Sequence, residues 1–217
     1  MKKYVAECIG TFFLVFCGTG AIIINEETNG VITHSGIAIT FGLIVMTMIY
    51  SLGSISGAHL NPAVSIALTL AGKFDIKQIA PYILSQLTGA FFASIILTLL
   101  FPSNNLLGST LPQGSAVQSF ILELILTCCL MLVILNTAFG SKDTAPLAGF
   151  IIGSTVLLEA MFAGPICGAS MNPARSISPA CVSGHLEHLW IYILAPIFGA
   201  LLAVPIWKIL NHKITSL

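Results

Sequence analysis

The chain has 217 residues, of which 56% are hydrophobic and 7% are charged. Because soluble domains carry about 25% charged residues, this composition excludes a soluble protein and predicts several membrane-spanning helices. The formal net charge is zero at pH 7, which argues against a protein that binds nucleic acid.

Six stretches are long and apolar enough to cross a lipid bilayer, for which a helix needs about 20 residues. In chain order they cover residues 4–25, 34–53, 79–101, 116–140, 146–164 and 188–210. The sequence therefore predicts one all-α membrane domain over residues 1–217, with six transmembrane helices. The six cysteines have no metal-binding or redox spacing, so we expect no metal and no cofactor.

Two shorter apolar segments begin at a repeated tripeptide, Asn61-Pro62-Ala63 and Asn172-Pro173-Ala174. Asn is a favourable N-cap and Pro a favourable first residue of a helix. The segments that start there, residues 62–72 and 173–183, have about 11 residues and are too short to span a bilayer. We interpret them as re-entrant half-helices.

The stretches before the half-helices, residues 54–61 and 165–172, contain Gly and Pro and are predicted to be non-helical at membrane depth. Irregular backbone survives there only where it is buried in protein or lines a watery cavity. We therefore expect a polar path whose central constriction lies at Asn61 and Asn172. Each asparagine would cap its helix and offer its amide NH2 to a passing oxygen. The two half-helix N-termini add positive potential, which opposes cations and protons.

The two halves of the chain repeat one another beyond this motif. Glu7-x-x-x-Thr11 recurs as Glu123-x-x-x-Thr127, and Tyr82-Ile83-Leu84 recurs as Tyr192-Ile193-Leu194. Since each half carries three spanning helices, the second half enters the membrane from the opposite side. We expect an inverted 3+3 repeat with halves of about 1–110 and 111–217.

Lysine placement predicts the orientation. With six spans, all the lysines fall on the side that holds both termini: Lys2, Lys3, Lys73, Lys77, Lys142, Lys208 and Lys213. By the positive-inside rule that side is the cytoplasm.

Four charged residues lie at membrane depth, where charge is costly and usually functional. We expect Arg175, the only arginine, to act at a narrow point, where it repels cations and donates to neutral solutes; an interfacial arginine is the alternative. Glu7 and Glu123 are expected to accept hydrogen bonds from the irregular loops, with a proton relay as the alternative. Glu159 pairs with a loop donor or faces the vestibule.

At these residues the chain resembles the aquaporin or major intrinsic protein family, over nearly its whole length. Within the family it is most similar to the nodulin-26-like branch. The stretches that carry this likeness are residues 36–43, 163–166, 168–176 and 189–196. The resemblance implies the aquaporin fold and a selectivity filter of Phe41, Ala160, Ala169 and Arg175. Strict water channels usually have His where Ala160 stands, and glycerol facilitators usually have an aromatic at Ala169 and Asp at Ser176. The filter therefore fits neither common class.

The resemblance implies a channel and not an enzyme. It would pass water and small uncharged solutes such as glycerol, urea, arsenite, boric acid or silicic acid, and exclude protons and ions. It would be a homotetramer in the plasma membrane. A water-selective aquaporin is one alternative. An ion-coupled transporter using Glu7, Glu123 and Glu159 is another.

Four further side chains carry other hypotheses. A thiol enzyme at Cys128-Cys129 is disfavoured because adjacent helical residues point about 100° apart. Tyr50 and His59 are candidates for tuning the pore, although a packed loop residue is the commoner role for such a histidine.

Overall fold

The computed structural model describes residues 1–140 and 144–211, and within them it is built from α-helices joined by turns and loops. Lys142 and Lys213 lie outside this part. The helices are α1 (Lys2–Glu27), α2 (Thr33–Ser56), α3 (Pro62–Leu70), α4 (Ile79–Leu100), α5 (Ala116–Thr137), α6 (Ala148–Cys167), α7 (Pro173–Ser183) and α8 (Leu189–Leu210).

Six of these helices, α1, α2, α4, α5, α6 and α8, are long and apolar enough to cross a membrane. The predicted fold class is therefore confirmed. The two others, α3 with 9 residues and α7 with 11, rise roughly 14–17 Å at 1.5 Å per residue. That is about half of the 30 Å hydrocarbon core.

The predicted non-helical stretches were too long. Residues 54–56 belong to α2 and residues 165–167 to α6, so the irregular loops are residues 57–61 and 168–172. Each spanning helix runs on until a left-handed glycine ends it, Gly57 at φ 85° and Gly168 at φ 86°. Pro165 stands in the last turn of α6 and removes one N–H donor from this helix.

The segments that carry the described lysines lie at one end of the helix bundle. The Tyr4 hydroxyl donates to Gln78 Oε1 at 2.6 Å, which joins the start of α1 to the α3–α4 connection. Lys73 Nζ lies 5.5 Å from the centre of the Trp207 ring in α8. At the other end of α1, Asn104 Nδ2 donates to Glu26 Oε2 at 2.8 Å. The lysine-bearing α3–α4 connection and Glu26 thus lie at opposite ends of α1.

Helices of the same half cross at glycines. A Cβ on Gly89 of α4 would lie 2.0 Å from the Cys8 carbonyl oxygen of α1, and a Cβ on Gly199 of α8 would lie 2.2 Å from the Leu124 carbonyl oxygen of α5. The two crossings occupy matching positions of the repeat, one residue after Glu7 and Glu123. The backbones of the paired helices are therefore in contact at both crossings, next to the two glutamates.

Six glycines of the long helices make close contacts within the chain. A Cβ on Gly18 would meet the Phe41 ring at 2.2 Å, and a Cβ on Gly42 would lie 2.5 Å from Leu157 Cβ. The same holds for Gly10, Gly36, Gly89 and Gly199. These glycines pack the protomer itself and say nothing about subunit association.

We expect Gly89→Ala and Gly199→Ala each to destabilise the fold by roughly 3 kcal/mol, since a methyl group would collide with rigid backbone. Thermal unfolding of the purified protein in detergent measures this. Gly53→Ala is the matched control, because a Cβ there meets nothing within 4 Å. Equal melting temperatures for all three variants would contradict the close crossings.

Candidate functional site

The two Asn-Pro-Ala motifs start α3 and α7 in the same way. Asn61 is extended at φ −153°, and its Oδ1 accepts from Ala63 N at 2.9 Å. Asn172 is extended at φ −148°, and its Oδ1 accepts from Ala174 N at 3.0 Å. Proline follows each cap as the first helical residue. The motif residues Asn61, Pro62, Ala63, Asn172, Pro173 and Ala174 are all buried.

The two asparagines bind across the boundary between the halves. Asn61 Nδ2 donates to the Met171 carbonyl at 2.7 Å, and Asn172 Nδ2 donates to the Leu60 carbonyl at 2.9 Å. This corrects the expectation that the whole NH2 group is available. One N–H of each amide is used across the interface, because the loop that holds its acceptor comes from the other half.

Both loops are held in matching left-handed conformations. In the first, Ala58 has φ 46° and Leu60 has φ 53°; in the second, Ala169 has φ 41° and Met171 has φ 53°. Residues other than glycine reach this region at a cost of about 1–3 kcal/mol each. Surrounding hydrogen bonds must supply that free energy.

Two buried carboxylates supply those hydrogen bonds. Glu7 accepts from the amides of His59 at 2.9 Å and Leu60 at 2.8 Å. Glu123 accepts from the amides of Ser170 at 2.7 Å and Met171 at 2.8 Å. Each carboxylate has two oxygens and so satisfies two consecutive N–H donors of a loop that has no regular secondary structure.

Gln86 is a functional-site neighbour that sequence reasoning missed. It is fully buried, and its Nε2 donates to Glu7 Oε2 at 2.8 Å and to Ser65 Oγ at 3.1 Å. The sequence signal that could have identified Gln86 is its position inside an apolar helix, because a buried amide requires hydrogen-bond partners. Gln86 follows Tyr82 by four residues, and the residue at the matching place after Tyr192 is Pro196. The second half therefore has no glutamine at this place to support its glutamate.

The second loop has a different support. Ser170 Oγ lies 2.5 Å from Ser176 Oγ, which accepts from the Thr110 hydroxyl at 2.9 Å. Ser176 and Ser65 hold matching places, four residues after the asparagines. The repetition of serine at this place in both halves was the sequence signal that could have identified the two residues.

Arg175 is buried to 2% exposure, and its Nη1 donates to the Gly108 carbonyl at 2.8 Å. Its guanidinium carbon lies 5.0 Å from the centre of the Phe41 ring, within the range of a cation–π contact. Gly108 has φ 67°, and a Cβ there would meet Thr19 at 2.9 Å. The carbonyl that holds Arg175 therefore depends on a glycine.

A cavity of about 490 Å³ runs past both asparagines and Arg175. Its lining includes Phe41, Ala169 and Arg175 together with Asn61 and Asn172. Ala160 is buried at 7% exposure but is not among the lining residues. The structure thus brings together three of the four side chains of the expected filter.

Tyr50 and His59 both line this cavity and are both held by other residues. The Tyr50 hydroxyl accepts from Phe150 N at 3.1 Å. The His59 ring lies 3.0 Å from Ser65 Oγ through Nδ1, and its centre is 4.6 Å from that of Phe74.

Glu159 lies apart from the loops. It is buried at 2% exposure, does not line the cavity, and lies beside the Cys129 thiol. Among the described residues it accepts no hydrogen bond from a loop amide, unlike the two glutamates of the repeat. Neither alternative considered for Glu159 therefore matches its position.

Comparison with known proteins agrees with this geometry. The family model described as major intrinsic protein matches residues 1–207. "Aquaporin NIP1-1" of Zea mays is 47% identical over 92% of this chain and 71% of its own. "Nodulin-26" of Glycine max is 43% identical over 98% of this chain and 79% of its own. The aquaglyceroporin of Plasmodium falciparum matches the fold with a TM-score of 0.84 and 28% identity, covering 95% of each chain.

Proposed function

The chain belongs to the major intrinsic protein family, and from that membership we propose which solutes it passes and how. At the coarser level it is a multi-pass membrane channel for water and small solutes, and not an enzyme. At the finer level it is a passive pore for small uncharged polar solutes, namely glycerol, urea and neutral metalloid hydroxides such as arsenite, boric acid and silicic acid. Protons and ions are excluded.

One observation carries this proposal: Asn61, Asn172 and Arg175 line a single cavity with apolar walls. A neutral solute that leaves water can replace lost hydrogen bonds at the two amides and the guanidinium. A cation finds no negative charge among these three side chains to compensate for its lost hydration, and the positive charge of Arg175 repels it. The polar line along an apolar wall therefore favours uncharged molecules with hydroxyl or amide groups.

The exclusion of cations follows from the half-helices. The N-termini of α3 and α7 carry about half a positive charge each, and they meet at Asn61 and Asn172. Arg175 adds a full charge nearby. Water passing this point gives its lone pairs to the amides, which orients it unfavourably for proton relay.

The breadth of the solute range rests on small side chains. Ala160 and Ala169 stand where bulkier side chains would narrow the ring around Phe41 and Arg175. A structural neighbour named an aquaglyceroporin supports a pore that is wider than that of a strict water channel.

Proteoliposomes that contain the purified protein test the proposal. Stopped-flow light scattering is expected to show fast, non-saturating flux of water, glycerol and arsenite without any ion gradient. If only water passed, the protein would be a water-selective channel and the proposed solute range would be wrong. Uphill accumulation that depends on a proton or sodium gradient would replace the channel with an ion-coupled transporter.

Replacing Arg175 with valine is expected to raise proton leak roughly tenfold, equal to about 1.4 kcal/mol of barrier, because the charge at the ring is lost. Arg175→Lys is the matched control, since it keeps the charge and loses the planar donor set. A pH-sensitive dye inside the liposomes reports the leak. If the valine variant leaked no more than the parent, the half-helix field alone would exclude protons, and Arg175 would serve solute binding.

We also propose that the chain forms a homotetramer in the plasma membrane with a pore in each subunit, and that both termini are cytoplasmic. The family resemblance supports the first statement. The grouping of Lys2, Lys3, Lys73, Lys77 and Lys208 at one end supports the second.

A further inference from the structure

Helix α6 contains a carbonyl that has lost its helical partner. Pro165 has no N–H, so it cannot donate to the carbonyl four residues earlier, that of Met161. An unpaired carbonyl at membrane depth costs several kcal/mol in lipid. Something else must donate to it, or α6 would be weak at this turn.

The donor is a side chain from another helix. His34 Nε2 lies 2.8 Å from the Met161 carbonyl oxygen, across 127 residues of sequence. Because a carbonyl only accepts, Nε2 donates. His34 lies in the first turn of α2. A Cβ on Gly164 would lie 2.8 Å from His34 Cε1, so the ring fits against α6 only because residue 164 is glycine.

This contact lies close to the ring of the proposed filter. His34 precedes Phe41 by seven residues, which is two helical turns along the same face of α2. On α6, Met161 directly follows Ala160. A second contact holds the same helix pair, since Gly42 faces Leu157. The stretch of α6 that carries Ala160 is therefore held against α2 on both sides, by the Gly42 crossing and by His34.

We propose that His34 is a positioning residue for solute selection: it fixes the distance between Ala160 on α6 and Phe41 on α2 by supplying the hydrogen bond that Pro165 removes. The inference rests on the proposed function, because it takes those two side chains as parts of the filter. His34 itself makes no contact with the solute.

The proposal predicts a coupling between two positions. His34→Ala leaves the Met161 carbonyl without its donor. The part of α6 that carries Ala160 then loses one of its two contacts with α2. We expect flux of a larger polyol, erythritol, to rise at least about twofold relative to water. Pro165→Ala gives residue 165 an N–H for the Met161 carbonyl. In that background His34→Ala should change the erythritol-to-water ratio little. His34→Gln, which keeps a donor nitrogen, should resemble the parent.

Two controls match the changes. His188→Ala removes another histidine, whose side chain makes no hydrogen bond among the described residues. Pro205→Ala removes another proline within a helix. Both should leave the ratio at the parental value.

The positioning role would be overturned if His34→Ala altered the ratio equally with and without Pro165. It would also be overturned if the effects of the His34 and Pro165 substitutions were coupled in melting temperature but not in the erythritol-to-water flux ratio. The hydrogen bond would then stabilise the fold without influencing solute selection. Failure of the proposed function shows separately, as a parent protein that passes no glycerol.

Discussion

Replacing Glu123 with glutamine is expected to lower both water and solute flux per molecule by roughly tenfold. The carboxylate accepts from two consecutive loop amides, Ser170 and Met171. Glutamine keeps one acceptor oxygen and turns an NH2 group toward the other donor. A buried N–H left without a partner costs about 1–3 kcal/mol, which is comparable to the strain at Ala169 and Met171 that these bonds offset.

Glu159→Gln is the matched control for this prediction. It changes another buried glutamate in the same half of the chain, one that is not bonded to a loop. Stopped-flow flux, normalised to the amount of protein in the liposomes, should stay near the parental value for this variant. Equal losses in the two variants would mean that general burial of carboxyl groups matters, and not support of the second loop.

Replacing Ala160 with histidine is expected to cut glycerol flux at least about tenfold while water flux falls much less. An imidazole ring narrows the constriction beside Phe41, and steric rejection in a pocket of this kind is worth about 1–3 kcal/mol. The smaller change Ala160→Val narrows the ring without adding a polar group and should give an intermediate loss. Glycerol and water permeabilities measured on the same liposomes decide the outcome.

The result would count against the filter assignment if glycerol and water flux fell by the same factor. This test is demanding because Ala160 does not line the cavity of the parent protein. A selective loss would show that a side chain only a few atoms longer reaches the path of the solute.

The half-helices could be predicted from sequence because their signals are local. Asn as N-cap and Pro as first residue specify the start of α3 and α7 within a few residues. The observed helices Pro62–Leu70 and Pro173–Ser183 agree closely with residues 62–72 and 173–183. The ends of α2 and α6 were predicted less well. Gly and Pro were taken to break these helices early, whereas α6 accommodates Pro165 through a donor from α2, a contact that sequence spacing does not reveal.

Within the site, the repeated residues were recognisable and the unrepeated ones were not. Glu7 and Glu123 stand at matching places, so an equivalent geometry for both was a reasonable expectation. Gln86 and Gly108 have no counterparts in the other half. Their contacts depend on how distant segments meet, and the same is true of the bonds that the two asparagines make across the halves.

Those bonds between the asparagines and the opposite loops have a consequence for biogenesis. When the first half of the chain has been synthesised, the Asn61 amide and the Leu60 carbonyl still lack the partners that residues 171 and 172 provide. The first loop therefore reaches its final shape only after the second has been made. The central constriction is therefore complete only when both loops have been made, and a separated half needs its complement to form it.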